Sequence, residues 1–216
     1  MNNGKELLEK TYEKPGAVWT RSEPPTELVE LVESGKIKPC KCLDVGCGEG
    51  FYAIYLASKG FDVTAIDLSE NAIKYAKQNA EDAGVDVKFM AMDVADLDKL
   101  DGKFGFVLEW ALLHLVMPEN REKYVGDVAN LLNENGKYFS VCFNDRDKKF
   151  GEGKLRIIPE NARAIVGAKM YFSSSDELMG LFGAHFEIIE SKVFEKKWVD
   201  GVNVLNYFFM EGKNGE

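Results

Sequence analysis

The chain is short of positive charge: 27 Lys and Arg stand against 36 Asp and Glu in 216 residues, a net charge of -9. Surplus acid repels a phosphate backbone, so nucleic acid is not an expected partner and a small-molecule substrate is the better starting point. Long apolar runs are also missing. Nothing approaches the roughly 20 residues of a membrane span, and the polar start MNNGKELLEK has neither the basic cluster nor the apolar centre of a secretory signal. The expectation is a cytoplasmic protein with no membrane partner. Cysteine is scarce: Cys40, Cys42, Cys47 and Cys142 fall in or beside expected strands, without the paired spacing of a zinc site, and are read as buried thiols with no metal. Repeats and low-complexity tracts are absent. The length suits one domain, residues 1–216, working as a monomer or homodimer.

What is present is organised around CKCLDVGCGEG, Cys40 to Gly50. Cys42, Leu43 and Val45 form an apolar run suited to a strand buried on both faces. Gly46, Gly48 and Gly50 follow at alternate positions, where they let the backbone take positive φ and let a ligand approach main-chain N–H groups that a Cβ would screen. A helix with Phe51, Ile54 and Tyr55 on its apolar face comes next and stops at Gly60. About 20 residues after such a loop a carboxylate is expected at the end of the next strand, placed to accept from ribose hydroxyls. Asp67 fills that place, after alternating Phe61, Val63 and Ala65, and Ser69 can cap a helix from Glu70 to Ala83. The apolar residues of this strand carry its packing, so the Asp67 carboxylate is not expected to hold the fold.

The loop reads G-x-G-x-G after Asp44, not the G-x-G-x-x-G of dinucleotide enzymes, which disfavours an NAD-linked oxidoreductase. With Asp44 and Asp67 in strand, loop, helix, strand order, it resembles the class I S-adenosylmethionine-dependent methyltransferases. The resemblance implies a Rossmann-like α/β fold: a mostly parallel seven-stranded sheet with helices on both faces and an antiparallel last strand. It implies S-adenosylmethionine as cofactor and S-adenosylhomocysteine as product. Gly46 and Gly48, with Cys47 and Gly50, would pass beneath the amino-acid end of the cofactor, and Asp67 would hold the ribose. The family also lacks any need for a Ser-His-Asp set. No Asn-Pro-Pro-aromatic run of a nucleic-acid methyltransferase follows the fourth strand. A non-catalytic S-adenosylmethionine or nucleotide-binding module is the alternative.

The third strand, Val85 to Met92, ends at Asp93. The resemblance implies that Asp93 accepts from the adenine amino group, with Leu68, Met92 and Val94 as walls; capping the next helix is the other reading. The fourth strand, FGFVLEW, delivers Glu109, Trp110 and His114 to the carboxyl edge of the sheet, where ligands bind. His114 or Glu109 would act as base or polarise the acceptor, among which a thiol or other soft nucleophile is considered; a buried histidine on the apolar face of ALLHLV is the bland reading of His114. Glu109, His114, Pro118, Arg121 and Tyr124 give a closer resemblance to the thiopurine S-methyltransferase and tellurite-resistance-like branch.

Two segments read as covers. Residues 1–39 are charged and broken by Pro15, Pro24, Pro25 and Pro39, with a helix near Glu27 to Ser34. Either Trp19 caps the core or this segment folds over the cofactor, with Trp19 against it and Tyr12 and Arg21 near the substrate. Residues 144–170 lack any sustained period and are too long for an ordinary connection. They are read as a substrate lid whose Arg146, Lys154 and Arg156 either recognise an anionic group or stay solvated. A helix near Phe172 to Phe182 and two closing strands, His185 to Lys196 and Val202 to Met210, complete the chain, with His185 read as a turn residue.

Overall fold

The computed structural model describes residues 3–160, 162, 164–198 and 201–213. Met1, Asn2, Asn161 and Arg163, which belong to the two expected lids, lie outside the described residues. The chain forms α1 (Asn3–Thr11), α2 (Thr26–Glu33), β1 (Lys41–Val45), α3 (Phe51–Ser58), β2 (Asp62–Asp67), α4 (Glu70–Ala83), β3 (Lys88–Ala91), β4 (Phe104–Trp110), α5 (Pro118–Leu131), β5 (Leu132–Phe143), β6 (Leu155–Ile157), β7 (Lys169–Tyr171), α6 (Ser175–Gly183), β8 (Phe186–Trp198) and β9 (Gly201–Gly212). Seven strands make one sheet in the order β3-β2-β1-β4-β5-β9-β8. β1 to β5 run parallel. β9 is antiparallel to both neighbours, as the sequence pattern leads one to expect.

Local chemistry explains the element ends. Ser69 accepts from the Ala72 N–H at the start of α4 and Gly84 closes it in the left-handed region. Pro118 opens α5, and Ser174 with Glu177 forms a reciprocal capping box on α6. Alternation along the strands then divides the core into two layers. Cys42, Val63, Phe106, Leu108 and Trp110 pack with α2, α3 and α4 on one face. Leu43, Val45, Phe104 and Val107 pack with α5 and α6 on the other. Cys42 and Cys142 are buried thiols, whereas Cys40 and Cys47 are half-buried.

The two segments read as covers are pinned. Glu9 of α1 accepts from Ser69 Oγ and from the Glu70 and Asn71 N–H groups, which fastens α1 to the start of α4. In the 144–170 stretch, β6 and β7 pair as a small antiparallel ribbon, a period the sequence did not betray because each strand is only three residues long. Arg156 organises this stretch. Its guanidinium donates to the carbonyls of Gly153, Asp147, Lys149 and Asp145 and lies 3.8 Å over the Phe172 ring. Buried, outside the cavity lining and with four of its five N–H groups spent on carbonyls, Arg156 is not placed to receive an anion in the cavity. Arg146 is exposed and bonded to Asn144 Oδ1, away from the cavity, and Lys154 pairs with Glu177.

Candidate active site

The carboxyl ends of β1, β2 and β4 open on a cavity of about 450 Å³, lined also by residues from α1, the 12–21 segment and the 144–170 stretch. Cavities of this size take cofactor-sized ligands. Tyr12, Trp19, Arg21, Asp44, Gly46, Cys47, Gly48, Gly50, Asp67, Leu68, Asp93, Val94, Trp110 and His114 line it, so most of the residues singled out in the sequence meet there.

The glycine loop works differently from the expectation. The N–H groups of Gly46 and Cys47 both donate to the Ile66 carbonyl, that of Gly50 to the Cys47 carbonyl, and that of Gly48 to Asp67. None of these four donors is left for a ligand, so the loop is no phosphate cradle. Its glycines meet a conformational demand, with φ of 77° at Gly46, 54° at Gly48 and 81° at Gly50. Gly50 also has a packing role, because a Cβ there would lie 2.9 Å from Ala76 and from the Phe89 ring.

Around this loop stand carboxylates. Asp44 is buried, its Oδ2 has no hydrogen-bond partner, and burial with the nearby Asp67 pushes its pKa up to about 7. Asp67 is raised in the same direction by burial, against the pull of the Ser69 and Gly48 N–H groups. A buried carboxylate oxygen without a partner beside a second carboxylate is satisfied by a proton, as the raised pKa of Asp44 reflects, or by a cation. The residues therefore fit a positively charged ligand and oppose a pyrophosphate.

Asp93 accepts from the Ala95 N–H and caps the short 3-10 turn Val94–Lys99, while still lining the cavity. Met92 does not line it; its side chain packs into the layer with α5. Glu109 is the larger correction. Fully buried, it accepts from the Leu112 and Leu113 N–H groups and from Ser140 Oγ, outside the cavity. Glu109 and Trp110 are consecutive on β4 and must point to opposite faces. Trp110 lines the cavity, whereas Glu109 has both oxygens engaged and shapes the turn. That turn holds Ala111 at φ 64°, a left-handed non-glycine residue at the cavity wall.

His114 lines the cavity with its Nδ1 unpartnered, its ring 4.7 Å from that of Phe143. Burial, with Arg121 and Lys149 nearby, depresses its pKa to about 3. It is a neutral imidazole at physiological pH and a weak base. Arg121 is buried and donates to the Val116, Leu113 and Tyr171 carbonyls and to Ser173 Oγ.

Sequence reasoning passed over Glu49, Tyr52, Phe143, Lys149, Phe150 and Trp198, all of which line the cavity. A signal existed for Glu49, a lone charge among three glycines, and for Phe143, at the carboxyl end of a parallel strand. Glu49 accepts from the Gly16 and Ala17 N–H groups and from Thr20 Oγ1, so the loop fastens the 16–20 segment. No sequence signal marks Trp198, which arrives from the end of β8. Among the described residues, no group of three or more His, Cys, Asp or Glu could hold a metal ion, and no helix is long and apolar enough to cross a membrane.

Residues 42–136 match the family model described as a methyltransferase domain. The 2-heptyl-1-hydroxyquinolin-4(1H)-one methyltransferase of Mycobacteroides abscessus is 32% identical over 127 residues, 58% of this chain and 56% of that protein. The chain thus spans little more than half the length of that relative. A solved S-adenosylmethionine-dependent methyltransferase from Methanosarcina mazei superposes with TM-score 0.75 at 22% identity, covering 89% of this chain and all of the other. The Burkholderia thailandensis 1,6-didemethyltoxoflavin-N1-methyltransferase, solved with 1,6-didemethyltoxoflavin and S-adenosylhomocysteine, has TM-score 0.75 and 22% identity over 97% of this chain and 88% of that one. The fold is the Rossmann-like fold of class I S-adenosylmethionine-dependent methyltransferases.

Proposed function

We propose that this chain, carrying a methyltransferase domain over residues 42–136, is an S-adenosylmethionine-dependent enzyme that methylates a small molecule. The observation that carries the reading is the unpartnered Oδ2 of Asp44 beside Asp67, at a glycine loop whose Gly46, Cys47, Gly48 and Gly50 N–H groups are spent. S-adenosylmethionine is a cation at both its sulfonium and its ammonium, and when bound it supplies an electrophilic methyl group. Asp44 and Cys47 would face its amino-acid end, Asp67 its ribose, and Asp93, Leu68 and Val94 its adenine. The 12–21 segment, held by Glu49 and by the Trp19 Nε1 to Tyr12 Oη hydrogen bond of 2.9 Å, would act as a cover that excludes water.

In-line displacement asks the protein to align two reactants, and no covalent protein nucleophile is required. A cavity that continues past the carboxylates to Trp110, His114 and Phe143 supplies the space for a second reactant, which a mere cofactor-binding module has no need of. His114, neutral in this setting, would orient the acceptor through a hydrogen bond and would not remove its proton. Of the pattern shared with the thiopurine S-methyltransferase and tellurite-resistance-like branch, only His114 and Tyr124 reach the cavity. Glu109 and Arg121 support it from behind. That finer kinship rests on their spacing.

Calorimetric titration with S-adenosylmethionine and S-adenosylhomocysteine is expected to give micromolar or tighter binding, about 8 kcal/mol, and none with NAD. Formation of S-adenosylhomocysteine upon addition of a pool of small acceptors tests turnover. Absence of binding by both adenosyl compounds would overturn the reading.

A further inference from the structure

The turn that carries His114 is gripped from two sides. Glu109 Oε1 accepts from the Leu112 and Leu113 N–H groups at 2.7 and 3.0 Å. Arg121 takes the carbonyls: its Nε donates to Val116 at 2.7 Å and its Nη2 to Leu113 at 2.9 Å. Two buried side chains of opposite charge thus satisfy the donors and the acceptors of one short stretch of backbone. Ala111, which leads into it, keeps a left-handed conformation of the kind that persists where surrounding bonds over-determine the chain.

Arg121 has a second set of partners. Its Nη1 donates to Ser173 Oγ at 2.5 Å and its Nη2 to the Tyr171 carbonyl at 3.2 Å, and the guanidinium lies 4.8 Å over the Tyr171 ring. Tyr171 ends β7, and Ser173 stands just ahead of the Ser174 cap of α6. A guanidinium is a flat fork with two usable edges. The side edge, Nε and Nη2, serves the turn, and the end edge, Nη1 and Nη2, serves β7 and the approach to α6. Arg121, Tyr171 and Ser173 do not line the cavity, whereas His114 at one end of this bridge and Met170 at the other both do. Because the guanidinium is buried, a partner that moves away leaves a donor unmatched and out of water's reach. The turn and β7 therefore move together.

Resting on the methyltransferase reading for the purpose of His114, we propose that Arg121 is a positioning residue. It locks the His114 turn to β7, so that His114 is aimed into the cavity only while the β6-β7 ribbon is seated. A ligand that presses on Met170 from inside the cavity pushes on Tyr171, its neighbour in the chain, and through Arg121 on the carbonyls that flank His114. The fit of the ligand under the ribbon thereby sets the imidazole that orients it. Lysine cannot stand in, since a single ammonium has no second edge.

The chain has two histidines, His114 and His185. Imidazole NMR of the full chain without ligand therefore reads His114 directly, with His185, half-buried and bonded to Glu122, as the internal reference. Ser173→Ala removes one end-edge acceptor and leaves the bonds to the turn in place. A hydrogen bond from a charged donor shifts an equilibrium by roughly tenfold or more. Ser173→Ala is accordingly expected to raise the exchange broadening of the His114 resonances roughly tenfold while those of His185 stay put. Arg121→Lys should displace the His114 resonances at least as far. Val128→Ala, which opens a cavity beside the buried face of α5 without touching the bridge, controls for general loosening and should leave His114 in place. His114 resonances unmoved by Ser173→Ala, native in Arg121→Lys, or displaced as far by Val128→Ala would overturn the proposal and leave the methyltransferase reading standing. Silence in calorimetry with S-adenosylhomocysteine would remove that reading, and the positioning role with it, whatever the NMR shows.

Discussion

The main-chain N–H of Gly48 donates to one Asp67 oxygen at 2.9 Å, and the other Asp67 oxygen accepts from the Ser69 N–H at 2.9 Å. The acid that the sequence leads one to expect at a ribose thus holds the glycine loop to the start of α4. This corrects the expectation that its carboxylate contributes little to the fold. Asp67→Ala is expected to weaken S-adenosylhomocysteine binding by roughly a hundredfold. It should also lower unfolding free energy by about 1 to 3 kcal/mol for each N–H left without a partner. Calorimetry and urea unfolding check the two effects separately. Unchanged affinity in Asp67→Ala would remove this residue from the site.

Gly48 and Tyr12 are coupled sterically. A Cβ on Gly48 would stand 2.9 Å from Tyr12 Oη and 4.0 Å from Cζ, so the hydroxyl alone is in the way. Gly48→Ala should weaken cofactor binding by displacing Tyr12, with a backbone cost of about 1 kcal/mol for φ above zero. In the double variant Gly48→Ala with Tyr12→Phe, affinity should partly recover. A double-mutant cycle that comes out additive would show that the glycine is needed for its φ alone.

Glu49 gathers three donors from the 16–20 segment. Glu49→Ala should speed hydrogen exchange at the Gly16 and Ala17 amides and proteolytic cutting near Pro15, while α3 and β1 keep their protection. Cofactor should slow the cutting in the unaltered protein. The cover is disproved by identical protection in both proteins, with and without cofactor.

Two buried groups give opposed pH dependences. Asp44 has a folded pKa raised from 3.8 to about 7, so its contribution to stability is present at low pH and is lost as pH rises across that window. His114 has a folded pKa lowered from 6.5 to about 3, so its contribution is present at neutral pH and is lost as pH falls across that range. Asp44→Asn should therefore leave a thermal midpoint that climbs more steeply from acid to neutral pH than in the unaltered protein. Affinity for the cationic cofactor should rise through about pH 7 as Asp44 ionises, and in Asp44→Asn it should be lower and flat. Equal pH profiles in the two proteins would count against Asp44 as the cofactor's counter-charge.

His114 offers a spectroscopic check. Its imidazole resonances should show no titration from about pH 8 to about pH 5, since the ordinary histidine value near 6.5 is displaced by burial. Titration at an ordinary value would restore it as a candidate base.

Much was legible before any fold was seen. The bounds of α4 and β4, the antiparallel last strand and the meeting of Asp44, the glycines and Asp67 follow from local rules: a cap, a period, a glycine that must take positive φ. The alternation of β4 places Glu109 and Trp110 on opposite faces, and only the structure shows that Trp110 lines the cavity while Glu109 is spent on the turn behind it. Tertiary structure alone decided the rest. Whether Gly48 offers its N–H to a ligand depends on Asp67 being close enough to take it. The fate of Arg156 depends on four carbonyls closing around it, and the aromatic end of the cavity depends on Trp198, which lies 88 residues from Trp110 in sequence. Local order is set by neighbours along the chain and can be read there; a buried charge or a cavity wall is set by which distant residues the sheet order brings together, and only the folded sheet supplies that.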